Sequence, residues 1–281
     1  MRRPVPTGGL GPLARLFGLR RGRLPDFLCI GAQEAGATTL HELLRAHPGV
    51  FLPPLKEVHY FSLHFDRPLP WYESVFASAR PGQVAGEITS YYLFHPAAPA
   101  RIAATVPGVR LIVLLRDPVD RAISGYFHSR RHGMEPLGIE EAFEAEGERT
   151  RDAERDLAEP GRRNSSHQWH GYVARSRYEL QLPRYLERFP RSQVLLIRSE
   201  DLFAEPVVAR RSLLDFLGLP PLDRPSPMPR ADAGNGEAAS VDDGLRARLR
   251  AALEPTYAAM ARDHGISWTD ARGGADAHRG P

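Results

Sequence analysis

The chain has 281 residues, of which 42% are hydrophobic, 25% charged and 9% aromatic, so it is long enough to bury a core as one large or two small domains. Its 25 Gly and 26 Pro follow no period, and no apolar run approaches the roughly 20 residues of a membrane helix. Collagen-like, disordered and membrane-spanning classes are therefore excluded. The formal net charge is +3 and Lys56 is the only lysine, so nearly all positive charge is carried by arginine.

The cysteine count, the arginine distribution and the N-terminal segment exclude further classes of protein. One cysteine, Cys29, excludes an intramolecular disulfide framework and a multi-thiolate zinc site, and we expect no metal. The arginines form no long basic stripe with interleaved aromatics, which argues against nucleic acid as a partner. Residues 1–25 form a basic lead-in without a continuous apolar signal core, so we expect a cytoplasmic protein.

The first predicted unit is a strand, a tight loop and a helix. Residues 26–31 are an apolar run that ends on glycine, as is typical of a buried strand. Residues 32–39 are small and polar, and Leu40, Leu43 and Leu44 then recur at helical spacing.

The same alternation continues along the chain. Strands are predicted over 50–52, 83–87, 109–115 and 193–197, and helices over 96–106, 119–132, 178–189, 211–217 and 242–263. Residues 139–160 are highly charged and are interpreted as a solvated insertion. Alternating strands and helices predict one α/β domain over residues 26–270, with a central parallel sheet flanked by helices, followed by a flexible tail over 271–281.

Two of the predicted loops could bind an anion, because ligands of open α/β sheets lie beyond the carboxyl ends of the strands. In the first, Gly36 permits a tight turn, and Thr38 and Thr39 offer hydroxyls beside the helix N-terminus. It lacks the spacing of a Walker A loop, and an ordinary turn with threonine caps is the alternative.

The second loop begins where the most apolar strand ends. Arg116 leaves that strand and Ser124 follows in the next helix, and a guanidinium with a hydroxyl is a competent clamp for a phosphate monoester. The alternative is a surface ion pair of Asp117 or Asp120 with Arg121.

These segments together resemble the sulfotransferases of the heparan-sulfate and bacterial type. Residues 27–40 resemble that family's 5′-phosphosulfate loop, and residues 116–124 resemble its 3′-phosphate loop. Between them, residues 56–61 are similar to its Lys-Glu-x-His-Phe-Phe segment, and Gly86-Glu87 to a strand end. The similarity extends over residues 26–268, and it is the order and spacing of the motifs that make it specific.

The resemblance implies a P-loop-like nucleotide-binding fold and an activity. The family transfers the sulfuryl group of 3′-phosphoadenosine 5′-phosphosulfate (PAPS) to a hydroxyl or amine, releasing adenosine 3′,5′-bisphosphate (PAP), and the acceptor here would be a carbohydrate or a small molecule. By resemblance, Glu57 is the candidate base, with His59 as its orienter or substitute, and Arg116 and Ser124 hold the 3′-phosphate. The expected contacts of the 5′ side are Gln33, Ala35, Gly36, Ala37, Thr38 and Thr39.

Each implied catalytic residue also has a structural alternative. Glu57 beside Lys56 could form a local ion pair, and His59 between apolar neighbours could be a hydrogen-bonded packing residue.

The sequence departs from the family pattern at three positions. Glu34 aligns with the loop lysine, and two like charges about 4 Å apart at an effective dielectric near 20 cost about 4 kcal/mol. Ala37 aligns with the first of the paired threonines, and Ala238 lies near the aromatic position of the loop that closes over the nucleotide. Lys56 or an arginine must then replace the missing cation.

Three functions are compatible with these departures. The favoured one is a PAPS-dependent sulfotransferase in which Lys56, His59 or an arginine supplies the charge, or Glu34 swings out of the loop. The second is a related enzyme with another reaction, in which Glu34 acts as an acid or base. The third is a non-catalytic protein that keeps only affinity for the nucleotide.

Overall fold

Five parallel strands form the centre of the computed structural model, which describes residues 22–222, 237–238 and 240–268. The sheet has the order β2-β3-β1-β4-β5. Its strands are β1 Phe27–Gly31, β2 Val50–Phe51, β3 Val84–Ile88, β4 Arg110–Leu115 and β5 Val194–Arg198. Helices flank the sheet, so the predicted single α/β domain with a central parallel sheet is confirmed.

Twelve helices are described, two of which follow strands that end at the centre of the sheet. They are α1 Ala37–Arg45, α2 Leu69–Val75, α3 Ala98–Thr105, α4 Pro118–Arg131, α5 Ile139–Thr150, α6 Ala153–Asp156, α7 Ser165–Trp169, α8 Tyr178–Leu186, α9 Ser199–Ala204, α10 Pro206–Leu217, α11 Asp243–Ala252 and α12 Glu254–His264. Short 3-10 turns lie at Ala174–Ser176 and Arg191–Gln193.

The core is centred on β1 and β4, which pair with each other inside the sheet. Every residue of β1 is buried, as are the last five residues of β4. Helix α1 turns Leu40, Leu43 and Leu44 toward them, and each such buried side chain contributes about 1.5–3 kcal/mol.

Strand connectivity creates a crevice at the carboxyl end of this central pair. From β1 the chain proceeds to β2 on one side of the sheet, and from β4 it proceeds to β5 on the other. The loops after β1 and β4 therefore diverge, and such a switch point is where open α/β sheets bind ligands.

Two segments differ from their predicted form. The charged stretch over 139–160 contains α5 and α6, because Glu146 is buried and accepts the N–H groups of Val173 and Ala174, each at 2.8 Å. The predicted last helix is divided at Leu253, where α11 ends and α12 begins with a proline in its first turn.

Three predictions concern residues outside the described ranges. They are the lead-in before residue 22, the tail after residue 268, and all of the closing loop over 230–239 except residues 237 and 238. Within the described ranges, no helix combines the length and apolar character needed to cross a membrane.

Strand β3 carries a buried carboxyl group at its centre. Glu87 is 1% exposed and accepts hydrogen bonds from Tyr72 at 2.6 Å, Thr89 at 2.7 Å and Tyr92 at 3.1 Å. Burial raises the pKa of Glu87, although these hydroxyls favour its ionised form.

The residue before Glu87 must be glycine for packing, since a Cβ at Gly86 would lie 2.4 Å from the ring of Phe27.

The hydroxyls bound to Glu87 also hold the segment over residues 56–61. The Thr89 hydroxyl accepts the His59 N–H at 3.4 Å, and the Tyr92 hydroxyl accepts the Phe61 N–H at 3.3 Å. The buried carboxyl group thus fixes one wall of the crevice.

Replacing Glu87 with alanine is expected to lower the free energy of unfolding by about 3 kcal/mol, because three buried hydroxyls lose their acceptor. Chemical denaturation measures this change, with Glu144→Ala on the exposed face of α5 as the control. Equal stability of the two variants would contradict the supporting role of Glu87.

Candidate active site

The crevice at the carboxyl ends of β1 and β4 is a cavity of about 580 Å³. Its walls come from the loop after β1, the segment 56–59, residues 90–91 after β3, the end of β4, helix α4 and the segment 168–175. The predicted site residues on its walls are Gln33, Glu34, Gly36, Ala37, Thr38, Lys56, Glu57, His59 and Arg116. The structure therefore brings most of the predicted residues together, although they are spread over more than 80 positions of the chain.

Three predicted residues lie behind these walls. Ala35 and Thr39 are fully buried, and the Ala35 carbonyl accepts a hydrogen bond from Ser199. Ser124 is 7% exposed and contacts Glu34. Their contact with a nucleotide stays a prediction.

The loop after β1 presents the N-terminus of α1 to the cavity. Gly36 has a φ of 93°, a left-handed conformation that favours glycine, and α1 begins at the next residue. The first N–H groups of a helix have no partner within it, so this end attracts an anion. Lys56 adds a positive charge here, since its Nζ donates to the Thr38 hydroxyl at 2.9 Å.

Glu57 and His59 form a pair on the facing wall. The His59 Nε2 lies 3.1 Å from Glu57 Oε2, and the Ser90 hydroxyl donates to Glu57 Oε1 at 2.7 Å. Ser62 Oγ lies 3.2 Å from His59 Nδ1. Both members of the pair have positive φ, 58° for Glu57 and 56° for His59, so the surrounding contacts hold a strained backbone.

Glu57 has the charge state of a proton acceptor. Burial would raise the pKa of Glu57, but the contacts with His59 and Ser90 outweigh it and lower the pKa below its usual value. Glu57 is therefore ionised at neutral pH and faces the cavity. The alternative of a Glu57 to Lys56 ion pair is wrong, because Glu57 pairs with His59 and Lys56 contacts Thr38.

Glu34 turns away from the N-terminus of α1 toward helix α4. Its carboxylate accepts a hydrogen bond from Ser124 at 2.7 Å and lies 3.0 Å from His128 Nδ1 and 3.9 Å from an Arg131 nitrogen. Burial would raise the pKa of Glu34, but these neighbours outweigh it and lower the pKa to about 2. Arg116 donates to the Glu34 carbonyl at 3.0 Å, so both predicted clamp residues contact Glu34.

The alternative for the second loop, a surface ion pair of Asp117 or Asp120 with Arg121, is wrong. Asp117 caps α4 by accepting the N–H groups of Val119 and Asp120, each at 3.0 Å. Asp120 pairs with Arg246 at 2.7 Å, and Arg121 is buried against Ser176.

Arg175 is the wall residue that sequence reasoning missed most clearly. It is 5% exposed, its hydrogen bonds go to the Gln33 side chain and to the carbonyls of His167 and Gln168, and its guanidinium lies 5.0 Å from the Tyr91 ring centroid. Burial lowers the pKa of Arg175 to about 10, so it stays charged at neutral pH. No helical or strand periodicity marks this position, so the sequence carried no signal for it.

His128 and Arg131 were also missed, but here the sequence held a signal. They follow Ser124 by four and seven residues, a spacing that puts all three on one face of α4.

The comparisons with known proteins agree with this geometry. Residues 24–227 match the family model described as the sulfotransferase domain. The chain belongs to the sulfotransferase family. The predicted family and enzyme class are thereby confirmed.

Relatives of this family member include large enzymes. Heparan sulfate glucosamine 3-O-sulfotransferase 3A1 of Mus musculus is 34% identical over 211 residues, covering 74% of this chain and 49% of the relative. Bifunctional heparan sulfate N-deacetylase/N-sulfotransferase 2 of Homo sapiens is 30% identical over 207 residues, covering 71% of this chain and 22% of the relative. This sulfotransferase family member thus spans half or less of their lengths.

A solved structure matches this family member more completely. The crystal structure of a sulfotransferase from Alicyclobacillus acidocaldarius has a TM-score of 0.70 and 28% identity, covering 85% of this chain and 95% of that one.

The Glu34 contacts predict a pH dependence of stability. Because the pKa of Glu34 is lowered to about 2 in the folded protein, its contribution is present above the ordinary value of 4.5 and is lost as the pH falls toward 2. The unfolding free energy of the natural chain minus that of Glu34→Gln is expected to shrink by about 2 kcal/mol between pH 6 and pH 3. Urea unfolding across this range measures it, and a constant difference would contradict the assignment.

Proposed function

We propose that the chain is a PAPS-dependent sulfotransferase that transfers a sulfuryl group to a hydroxyl or amine of a carbohydrate or small-molecule acceptor. The observation that carries the proposal is the ionised Glu57, paired with His59 across one cavity from the N-terminus of α1 and from Arg116. A proton acceptor thereby faces two elements that suit phosphate groups.

The charges around the cavity fit a nucleotide that carries several anionic groups. Lys56, Arg116, Arg131 and Arg175 contribute four positive charges to its walls. Glu57 is held by His59 and Ser90, and Glu34 is turned toward α4, so neither carboxylate contacts the N-terminus of α1. With the carboxylates of Glu34 and Glu57 counted, the walls keep an excess of two positive charges, and a donor with several anionic groups is the ligand that balances it.

Each of these residues then has its own role in the proposed reaction. When bound, PAPS supplies an activated sulfuryl group attached to a phosphate leaving group. Glu57 takes the proton of the acceptor hydroxyl or amine as the acceptor atom bonds to sulfur and the bond from sulfur to the phosphate oxygen breaks. His59 orients Glu57 through its Nε2, and Arg116 with Ser124 holds the 3′-phosphate.

Lys56 is the replacement for the family's loop lysine in this proposal. Its Nζ contacts Thr38 in the first turn of α1, so it would stabilise the charge that a leaving phosphate gains if that phosphate binds at this helix end. The structure thus supports the option that a lysine from another segment supplies the missing charge, while Glu34 turns out of the loop.

The acceptor and the location belong to the same proposal. Both relatives are named for heparan sulfate, and one of them for its glucosamine, which makes a carbohydrate the first acceptor to test. We keep the cytoplasm as the proposed location, and imaging of the tagged chain tests it.

Glu57→Gln is expected to lower kcat about 100-fold to 10,000-fold with little change in KM for PAPS, because the base is lost while the donor site is kept. PAP release from PAPS measures this, with a heparan sulfate oligosaccharide and a panel of small alcohols and amines as acceptors. Glu42→Gln, on the exposed side of α1, is the matched control. If the kcat of Glu57→Gln equals that of the natural chain, Glu57 is not the base.

Arg116→Ala is expected to weaken PAP binding by about 1.5–3 kcal/mol, the value of a charge-assisted contact. Calorimetric titration measures it, with Arg110→Ala at the opposite end of β4 as the control, since Arg110 donates to the Leu217 carbonyl far from the cavity. Undiminished affinity would exclude Arg116 from the site, and failure of both the natural chain and Glu34→Gln to bind PAP would contradict the proposed donor.

A further inference from the structure

Glu34 occupies a place in this protein that suits an anionic ligand. Its carboxylate is surrounded by donors: the hydroxyl of Ser124 at 2.7 Å, the Nδ1 of His128 at 3.0 Å and a guanidinium nitrogen of Arg131 at 3.9 Å. Arg131 also pairs with Glu237 at 2.8 Å. Two of these donors carry or can carry a positive charge, so the carboxylate of the loop satisfies an anion site from within the chain.

Arg116 contacts the backbone of Glu34 and Ser124 contacts its side chain, so displacing the carboxylate from Ser124 does not require the Arg116 contact to break. Glu34 has a φ of 66°, and its carbonyl accepts a hydrogen bond from Arg116 at 3.0 Å. The same arginine and Ser124 are the residues to which the proposed function assigns the ribose 3′-phosphate. The Glu34 carboxylate and a 3′-phosphate therefore compete for one hydroxyl, and they repel each other when both are near it.

We infer that Glu34 is an internal ligand of the 3′-phosphate subsite and a specificity-determining residue for the group at the ribose 3′-position. This inference rests on the proposed function, which it deepens. A nucleotide with a 3′-phosphate must displace the carboxylate from Ser124, whereas a nucleotide with a 3′-hydroxyl can donate a hydrogen bond to it. An acidic side chain that favours a ribose hydroxyl over a ribose phosphate has a precedent in dinucleotide sites, where an Asp or Glu binds the 2′-hydroxyl.

Glu34 sets the ratio of the affinities for PAP and for a nucleotide with a free 3′-hydroxyl. Glu34 lowers the affinity for PAP and leaves the affinity for adenosine 5′-monophosphate (AMP) nearly unchanged or slightly raised. A residue that merely supported the loop would change both affinities in the same direction, so the ratio separates the two roles.

The experiment is calorimetric titration of the full chain with PAP and with AMP at pH 7. The variants are Glu34→Gln, which removes the charge and keeps the shape, and Glu34→Ala, which gives a second reading should the amide variant fail to fold. Glu42→Gln is the matched control, because Glu42 lies on the exposed side of the helix after the same loop and pairs with Arg45 at 2.8 Å.

The expected result is that PAP binds Glu34→Gln about tenfold to a hundredfold more tightly than the natural chain, the effect of one charge-assisted contact. AMP is expected to bind the two within about twofold, and Glu42→Gln to match the natural chain. Equal or weaker PAP binding in the Glu34 variants, with PAP still bound by the natural chain, would overturn the inference alone. Absence of PAP binding in every form, the Glu34 variants included, would overturn the proposed donor as well.

Discussion

The pairing of β1 with β4 at the centre of the sheet is the constraint on which the site depends. Because the chain leaves these two neighbours in opposite directions, their following loops diverge and open one crevice. The α1 N-terminus and Arg116 both line this crevice. The facing wall depends on a second constraint, the buried carboxyl of Glu87, whose bound hydroxyls fix the segment that carries Glu57 and His59.

Much of the fold could be predicted because it follows from local pattern. Apolar runs that end at a turn and continue as amphipathic helices are visible in the sequence, and β1 with α1 was predicted within a few residues. The motifs also placed Glu57, His59 and Arg116 on one cavity, since family resemblance adds the spacing that periodicity lacks.

The contacts of the buried polar residues could not be predicted, because their partners lie far away in the chain. Glu34 and Ser124 are 90 positions apart, and Arg175 and Gln33 are 142 apart, so no local window reveals their contacts. The burial of Glu146 is of the same kind, since its acceptor role is visible only once residues 173 and 174 are placed beside α5. Polar residues that are buried through distant hydrogen bonds look like solvated residues in a sequence.

The exchange of lysine for glutamate in the loop is best understood as a rearrangement of charge. A carboxylate left at the N-terminus of α1 would oppose any phosphate there, but the side chain turns to α4, where Ser124 donates a hydrogen bond to it and His128 and Arg131 lie beside it. The chain's single lysine contacts Thr38 at that N-terminus from a different segment. In the proposed function, the cation of the donor site therefore lies at position 56 in place of position 34, and the Glu34 carboxylate lies beside Ser124. Loss of a motif lysine therefore does not by itself indicate loss of the donor site, because the electrostatic requirement applies to a place in the cavity and not to a position in the sequence.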